Sequence, residues 1–250
     1  MMLPLHRFKL TIEYVGTSFS GFQRQENAPS IQECLEKAIT AFTGMPTTVF
    51  VAGRTDAGVH AKGQVVHVDV PVSIDARTME RATNVHLNPH PIVVLKAEPV
   101  SNDFHARFDA KQRFYTYRII NRRPALTFEK NMAWHVPYPL NVALMQEAAP
   151  CLLGHHDFST FRTVHCQAKS PMRTLDTLTI EQNGDLILIH VSALSFLHHQ
   201  VRNMVGSLVL VGRGKWTAAD LERALKACDR SAGGPTAPPD GLYFMSVHYA

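Results

Sequence analysis

Phe8, Leu10, Ile12 and Tyr14 alternate with Lys9, Thr11 and Glu13, a period of two that predicts a half-buried strand. Gly16 and Gly21 interrupt it. Ser30 and Glu33 have capping-box spacing, and Ile31, Cys34, Leu35, Ala38, Ile39 and Phe42 then recur at helical intervals up to Gly44. A short strand over 48–52 leads into a loop over 53–63, and 64–70 reads as its partner strand. Ser73 or Asp75 can cap a second helix that runs to about His86, and 92–97 is another strand. The first half therefore reads β-α-β-β-α-β.

The second half repeats the order. Tyr115, Tyr117 and Ile119 alternate with Phe114, Thr116 and Ile120, and Asn141 caps a helix carrying Met145, Ala148, Ala149, Leu152 and Leu153 to Gly154. Strands over 175–180 and 186–193 flank Asn183-Gly184, a two-residue hairpin signal. Helices over 196–211 and 217–227 and a strand over 242–249 complete the pattern. The expectation is an α+β protein of two ferredoxin-like halves, 1–105 and 106–250, whose antiparallel sheets meet at a central catalytic cleft. The prolines and glycines over 229–240 mark the clearest flexible loop.

Composition adds limits. A chain of 250 residues that is 45% hydrophobic and 18% charged can bury a core without disulfide or metal staples, and it lies outside disordered and rod-like classes. Lys plus Arg number 25 against 21 for Asp plus Glu, a net charge of +4 that suits a nucleic-acid partner without requiring one. Cys34, Cys151, Cys166 and Cys228 lie far apart with no paired spacing, which points to reduced thiols in the cytoplasm. The first residues pass straight into strand pattern with no signal-peptide apolar block, and the apolar run 204–211 is too short to span a membrane.

Fourteen histidines raise the question of a metal. In His155-His156 and His198-His199, neighbouring side chains diverge, and Pro89 breaks the helix that His86 and His90 would need. No metal site is expected.

The chemistry concentrates in residues 52–60, where two glycines flank Arg54-Thr55-Asp56 between two strands. Glycines permit a tight loop and close ligand approach. Arg54 can hold a phosphate or stack on a base, and an ionised Asp56 can act as nucleophile or general base. The same residue types also make ordinary turns. No Gly-Lys-Ser/Thr follows, so the loop is not a P-loop.

The longer stretch AGRTDAGVHAKGQVVHV at 52–68 resembles the signature of the tRNA pseudouridine synthase A family. GFQRQ at 21–25, DFHARF at 103–108, RFYTYRI at 113–119, FLHHQVRNMVGSL at 196–208 and GLYFMSV at 241–247 extend the resemblance along nearly the whole chain. Val15 and Phe114 depart from it, standing where relatives often carry an acidic and a basic residue. The resemblance implies an isomerase that converts uridine to pseudouridine in the anticodon stem-loop of tRNA, at positions 38, 39 and 40, without a cofactor. It also implies a homodimer with tRNA held across both subunits.

By the same resemblance, Asp56 is the essential carboxylate. It attacks the base, attacks the sugar or removes a sugar proton. Tyr115 stacks on the uracil, Arg202 partners the aspartate, and Leu242 walls the base. The target must leave its stack, and Arg54 fills or holds the vacated space. Phe104, His105, Ala106, Arg107 and Phe108, with His165, Cys166, Gln167, Ala168 and Lys169, match tRNA-contacting stretches, where cations neutralise phosphates and aromatics stack. The competing reading is a non-catalytic RNA-binding protein on ferredoxin-like sheets, but the aromatic ribonucleoprotein motif is missing from the strands. A carboxylate-dependent hydrolase would need paired acids or a nucleophile triad beside Asp56.

Overall fold

A computed structural model describes residues 5–26, 28–164 and 166–249. Contacts group the chain into two compact units. One runs to Arg113 and regains the chain from Phe244; the other is Phe114–Tyr243. The division lies beyond the expected 105/106 boundary, and the last strand returns to the first unit because it lies beside that unit's third strand.

In the first unit, β1 (His6–Tyr14) buries Phe8, Leu10, Ile12 and Tyr14 at alternate positions. The segment Ile31–Thr43 forms α1, and Ser30 accepts a hydrogen bond from the Glu33 amide. The capping box is not reciprocated as the sequence suggests, because the Glu33 carboxylate pairs with Lys37 one turn on. After β2 (Val49–Val51) comes β3, which starts at His60 and runs to Val70. That start precedes the expected one because Tyr14 of β1 already pairs with Ala61, which shortens the intervening loop. Asp75, of the two candidate caps, accepts from the Thr78 amide to open α2 (Ala76–Leu87). The edge strand β4 (Ile92–Pro99) completes the order β4-β1-β3 with β2 also on β3, all antiparallel. Leu35, Ile39, Met79 and Leu87 bury the helices' apolar sides, and α1 packs on α2.

The second unit takes most of β5 (Ala110–Asn121) and sets it beside β9 (Leu186–Ala193), then β8 (Met172–Asn183) and β7 (Gly154–Asp157). The pairs β7-β8 and β8-β9 are antiparallel. β6 (Trp134–Val136) runs parallel to β5. Neither β6 nor β7 was expected, since three or four residues are too few to show a period. The helices are α3 (Val142–Ala148), α4 (Gln200–Gly212) and α5 (Ala218–Ala227), the last with a complete Thr217–Asp220 capping box. Helix α4 starts four residues later than the apolar pattern suggests, because His199 takes a left-handed φ of 65°. The final strand β10 is Leu242–Tyr249. The architecture is α+β with mainly antiparallel strands. No helix among the described residues is long and apolar enough to cross a membrane.

The stretch 229–240 is not the loose loop its prolines and glycines suggest. The Thr236 hydroxyl donates to Asn203 at 2.7 Å, the Gly234 amide donates to Ser207 at 2.9 Å, and the Ala237 amide donates to the Arg202 carbonyl at 3.1 Å. Gly206 makes this docking possible: a Cβ there would run into the Pro235 carbonyl.

Candidate active site

The loop between β2 and β3 is tied down on every side within the first unit. At its entry, the Ala52 amide donates to the Val65 carbonyl at 2.8 Å. The Gln64 side-chain amide donates to Gly53 O at 2.7 Å, and Tyr14 and Thr55 share a hydroxyl–hydroxyl bond of 2.8 Å in the core. Burial pushes the Tyr14 phenol up to about 12, so it is a neutral hydrogen-bonding group at working pH. The Phe22 amide donates to Thr55 O at 3.0 Å, and the Val59 amide closes a turn onto Asp56 O at 3.2 Å. At the exit, buried His60 accepts from the Gly16 amide through Nδ1 at 3.1 Å. A side chain at Gly16 would strike the Val59 carbonyl, so this approach requires glycine.

These bonds fix the backbone on both sides of Asp56, while Asp56 itself is partly exposed and Arg54 exposed. A carboxylate on a pinned loop with access to solvent can meet a substrate without the loop having to order first.

Arg113, at the start of the RFYTYRI stretch, links this loop to a second predicted segment. Its buried guanidinium donates twice to Ala52 O, at 3.0 and 2.7 Å, and once to Arg107 O at 2.8 Å. Residues 104–108 thus sit on the same unit as Asp56 and Arg54, joined to them through one planar fork. In that segment Ala106 is buried and donates its amide to His67 Nδ1 at 3.1 Å, and Tyr249 donates to Ala106 O at 2.7 Å. His105 accepts the Arg107 amide at 3.1 Å through Nδ1, which turns Arg107 and Phe108 outward.

The second unit holds the other expected residues. Tyr115 is buried on β5 with its ring edge-to-face with Phe196 at 5.1 Å. Arg202, in the first turn of α4, donates from Nε to Ala237 O at 2.8 Å, while Tyr117 donates to the adjacent Pro238 O at 2.6 Å. Burial raises the Tyr117 phenol well above its ordinary value, with Arg202 opposing the shift. The docked stretch 229–240 therefore brings Arg202 of α4 and the Tyr115–Tyr117 strand to neighbouring carbonyls, and buried Leu242 follows it directly. Cys166 and Ala168 are partly exposed, and Gln167 and Lys169 are exposed, ahead of β8; His165 lies outside the described residues.

Sequence reading missed the side chains that hold the loop. Tyr14, Gln64, His60 and Arg113 are far from Asp56 along the chain or look like ordinary strand residues. The only signal available for Arg113 was its place at the head of a motif.

The tRNA pseudouridine synthase family model matches residues 10–109 and 148–250. Among curated relatives, the tRNA pseudouridine synthase A of Rhodospirillum rubrum is 54% identical over 243 residues, 97% of this chain and 87% of its own. The protein of the same name from Rhodopseudomonas palustris is 55% identical over 243 residues, 97% of this chain and 99% of its own. That from Paramagnetospirillum magneticum is 54% identical over 244 residues, 98% of this chain and 95% of its own.

Proposed function

The chain belongs to the tRNA pseudouridine synthase family, and from that premise we propose that it acts on uridines 38, 39 and 40 of the tRNA anticodon stem-loop, with Asp56 as the essential carboxylate. It is an isomerase that forms pseudouridine in tRNA. The N1–C1′ bond breaks, the uracil turns, C5 joins C1′, C5 gives up its proton and N1 gains one. Product and substrate have the same formula.

The observation that carries the aspartate assignment is the pinned loop. Thr55 and Val59, on either side of Asp56, have backbone or side-chain groups in hydrogen bonds, so the backbone that carries the carboxylate is held while Asp56 remains partly exposed. Attack on the base, attack on the sugar and removal of a sugar proton all use its ionised form. A paired uridine must first be extruded, at about a few kcal/mol, and exposed Arg54, two residues from Asp56, is the group offered to the emptied stem. Four free cysteines support a reducing, cytoplasmic setting. The working form is a homodimer, with tRNA held across both subunits.

The reading is tested with tRNA tritiated at uridine C5 and purified protein. Release of tritium to water is expected, with the mass of unlabelled RNA unchanged by the same treatment. Binding without release would instead indicate a non-catalytic RNA-binding protein.

Arg54→Lys separates extrusion from phosphate neutralisation. Lysine keeps the charge but lacks a planar stacking face. The expected result is a single-turnover rate about tenfold or more lower on a paired stem, recovering when the target uridine is already unpaired. Equal defects on both substrates would remove Arg54 from extrusion.

Tyr115→Leu and Tyr115→Phe divide the roles of ring and hydroxyl. The leucine variant should lose turnover by about tenfold or more, as expected for a lost base–aromatic stack. If the ring alone acts, the phenylalanine variant stays close to wild type; if the hydroxyl helps remove the C5 proton, it falls as well. Wild-type single-turnover rates in both variants would exclude a role at the site.

A further inference from the structure

β2 leads directly into the Asp56 loop, and its middle residue, Phe50, belongs to no motif singled out in the sequence. Strand pairing sets Lys9 beside His67, and His67 beside Phe50. Neighbouring positions across β1, β3 and β2 therefore form one row on one face of the sheet. In that row the Phe50 ring stacks on His67 with centroids 4.9 Å apart and planes 12° apart. His105 meets His67 edge-on at 4.7 Å, and Phe108 lies 4.3 Å beyond His105.

The ends of this aromatic chain are open. Phe50 is 44% exposed and Phe108 is 74% exposed, whereas His67 is buried between them. Burial, helped by Arg7 and His105, brings the His67 imidazole down to about 4, and its Nδ1 accepts the Ala106 amide. His67 is therefore a neutral ring at physiological pH, and it supports Phe50 by stacking rather than by charge. Cations stand at the margins. The Arg107 guanidinium lies 5.7 Å from the Phe108 ring centre, and Lys9 lies 5.7 Å from that of Tyr249.

An exposed, rigidly backed aromatic face with cations at its edge matches the chemistry of an unpaired nucleobase and its phosphates. We propose that Phe50 is a second base-stacking surface, which holds an unpaired nucleobase of the tRNA substrate while Asp56 acts on another. The proposal rests on tRNA being the substrate, and it adds a positioning residue outside the predicted 104–108 segment. Because β2 continues directly into the loop, a base held on Phe50 also fixes the RNA relative to the carboxylate.

The test uses the full-length protein and an unmodified tRNA transcript. Phe50→Leu should weaken tRNA binding and raise KM by roughly fivefold to a hundredfold, the range for one lost base–aromatic stack, with kcat within about twofold. The salt dependence of binding should stay unchanged, since no phosphate contact is lost. Phe50→Trp should keep wild-type affinity, and its added fluorescence, above the background of Trp134 and Trp216, should be quenched on adding tRNA. Wild-type affinity in the leucine variant, or an unquenched tryptophan, would overturn the proposal. So would a change in oligomeric state with tRNA affinity intact, which would make the patch a contact between copies of the chain. The reading of function fails separately: a wild-type protein that binds tRNA and makes no pseudouridine would sink the activity while leaving the Phe50 binding result to stand.

Discussion

Asp56→Asn is expected to reduce pseudouridine formation by about ten-thousandfold or more, the scale on which removal of a reacting group acts. Asparagine keeps the size and shape of the side chain, removes its negative charge and replaces one acceptor oxygen with an amide donor. The backbone turn from the Val59 amide to Asp56 O and the Tyr14–Thr55 bond do not involve the carboxylate. With those bonds intact the loop should keep its fold, read as a Tm within roughly 2–4 °C of wild type, about 1 kcal/mol for a chain of this size, and tRNA affinity should stay close to wild type. Single-turnover tritium release, read beside a melting curve, checks both halves. Substantial turnover in a verified Asp56→Asn preparation would remove the carboxylate from the chemistry.

The second large effect is expected at Arg113, whose bonds to Ala52 O and Arg107 O reach the Asp56 loop through its backbone. Arg113→Met keeps the stem of the side chain but leaves Ala52 O and Arg107 O without their shared donor. Bonds from a charged donor contribute roughly 1.5–3 kcal/mol each, and a buried acceptor left without one adds its own cost. A stability loss of about 3 kcal/mol or more is expected, roughly 6–12 °C in Tm. Arg113→Lys should recover little, because an ammonium cannot bridge two carbonyls as a planar fork does. Turnover below the melting transition should fall through both kcat and KM, since the fork holds the Asp56 loop and the 104–108 segment alike. A lysine variant with wild-type Tm and kcat would show that the loop does not depend on this fork.

Much of the scaffold was legible because its signals are local. The alternation in β1, the caps Ser30, Asp75 and Asn141, and the Asn183-Gly184 turn each act within a few residues, and the structure places an element at each. The misses have nonlocal causes. β6 and β7 exist by pairing with β5 and β8 rather than by any pattern of their own. The stretch 229–240 looks flexible by composition, yet it is held by Asn203 and Ser207, which lie more than a helical turn upstream in a different element. At the site, the motif around Asp56 could be read directly, but what pins it could not. Tyr14 looked like one more apolar strand position, and Arg113 like a polar residue at a strand end. Phe50 was similarly hidden, since an exposed phenylalanine and a buried one read alike in a three-residue strand.

Mapping pseudouridine in tRNA tests the account most directly. A transcript with uridines at 38, 39 and 40 is incubated with the wild-type protein and, in parallel, with Asp56→Asn, and every uridine is then scored. The account predicts pseudouridine at those positions with the wild-type protein and none with the variant. Pseudouridine elsewhere in the tRNA with those three positions untouched, or equal conversion by the two proteins, would contradict it.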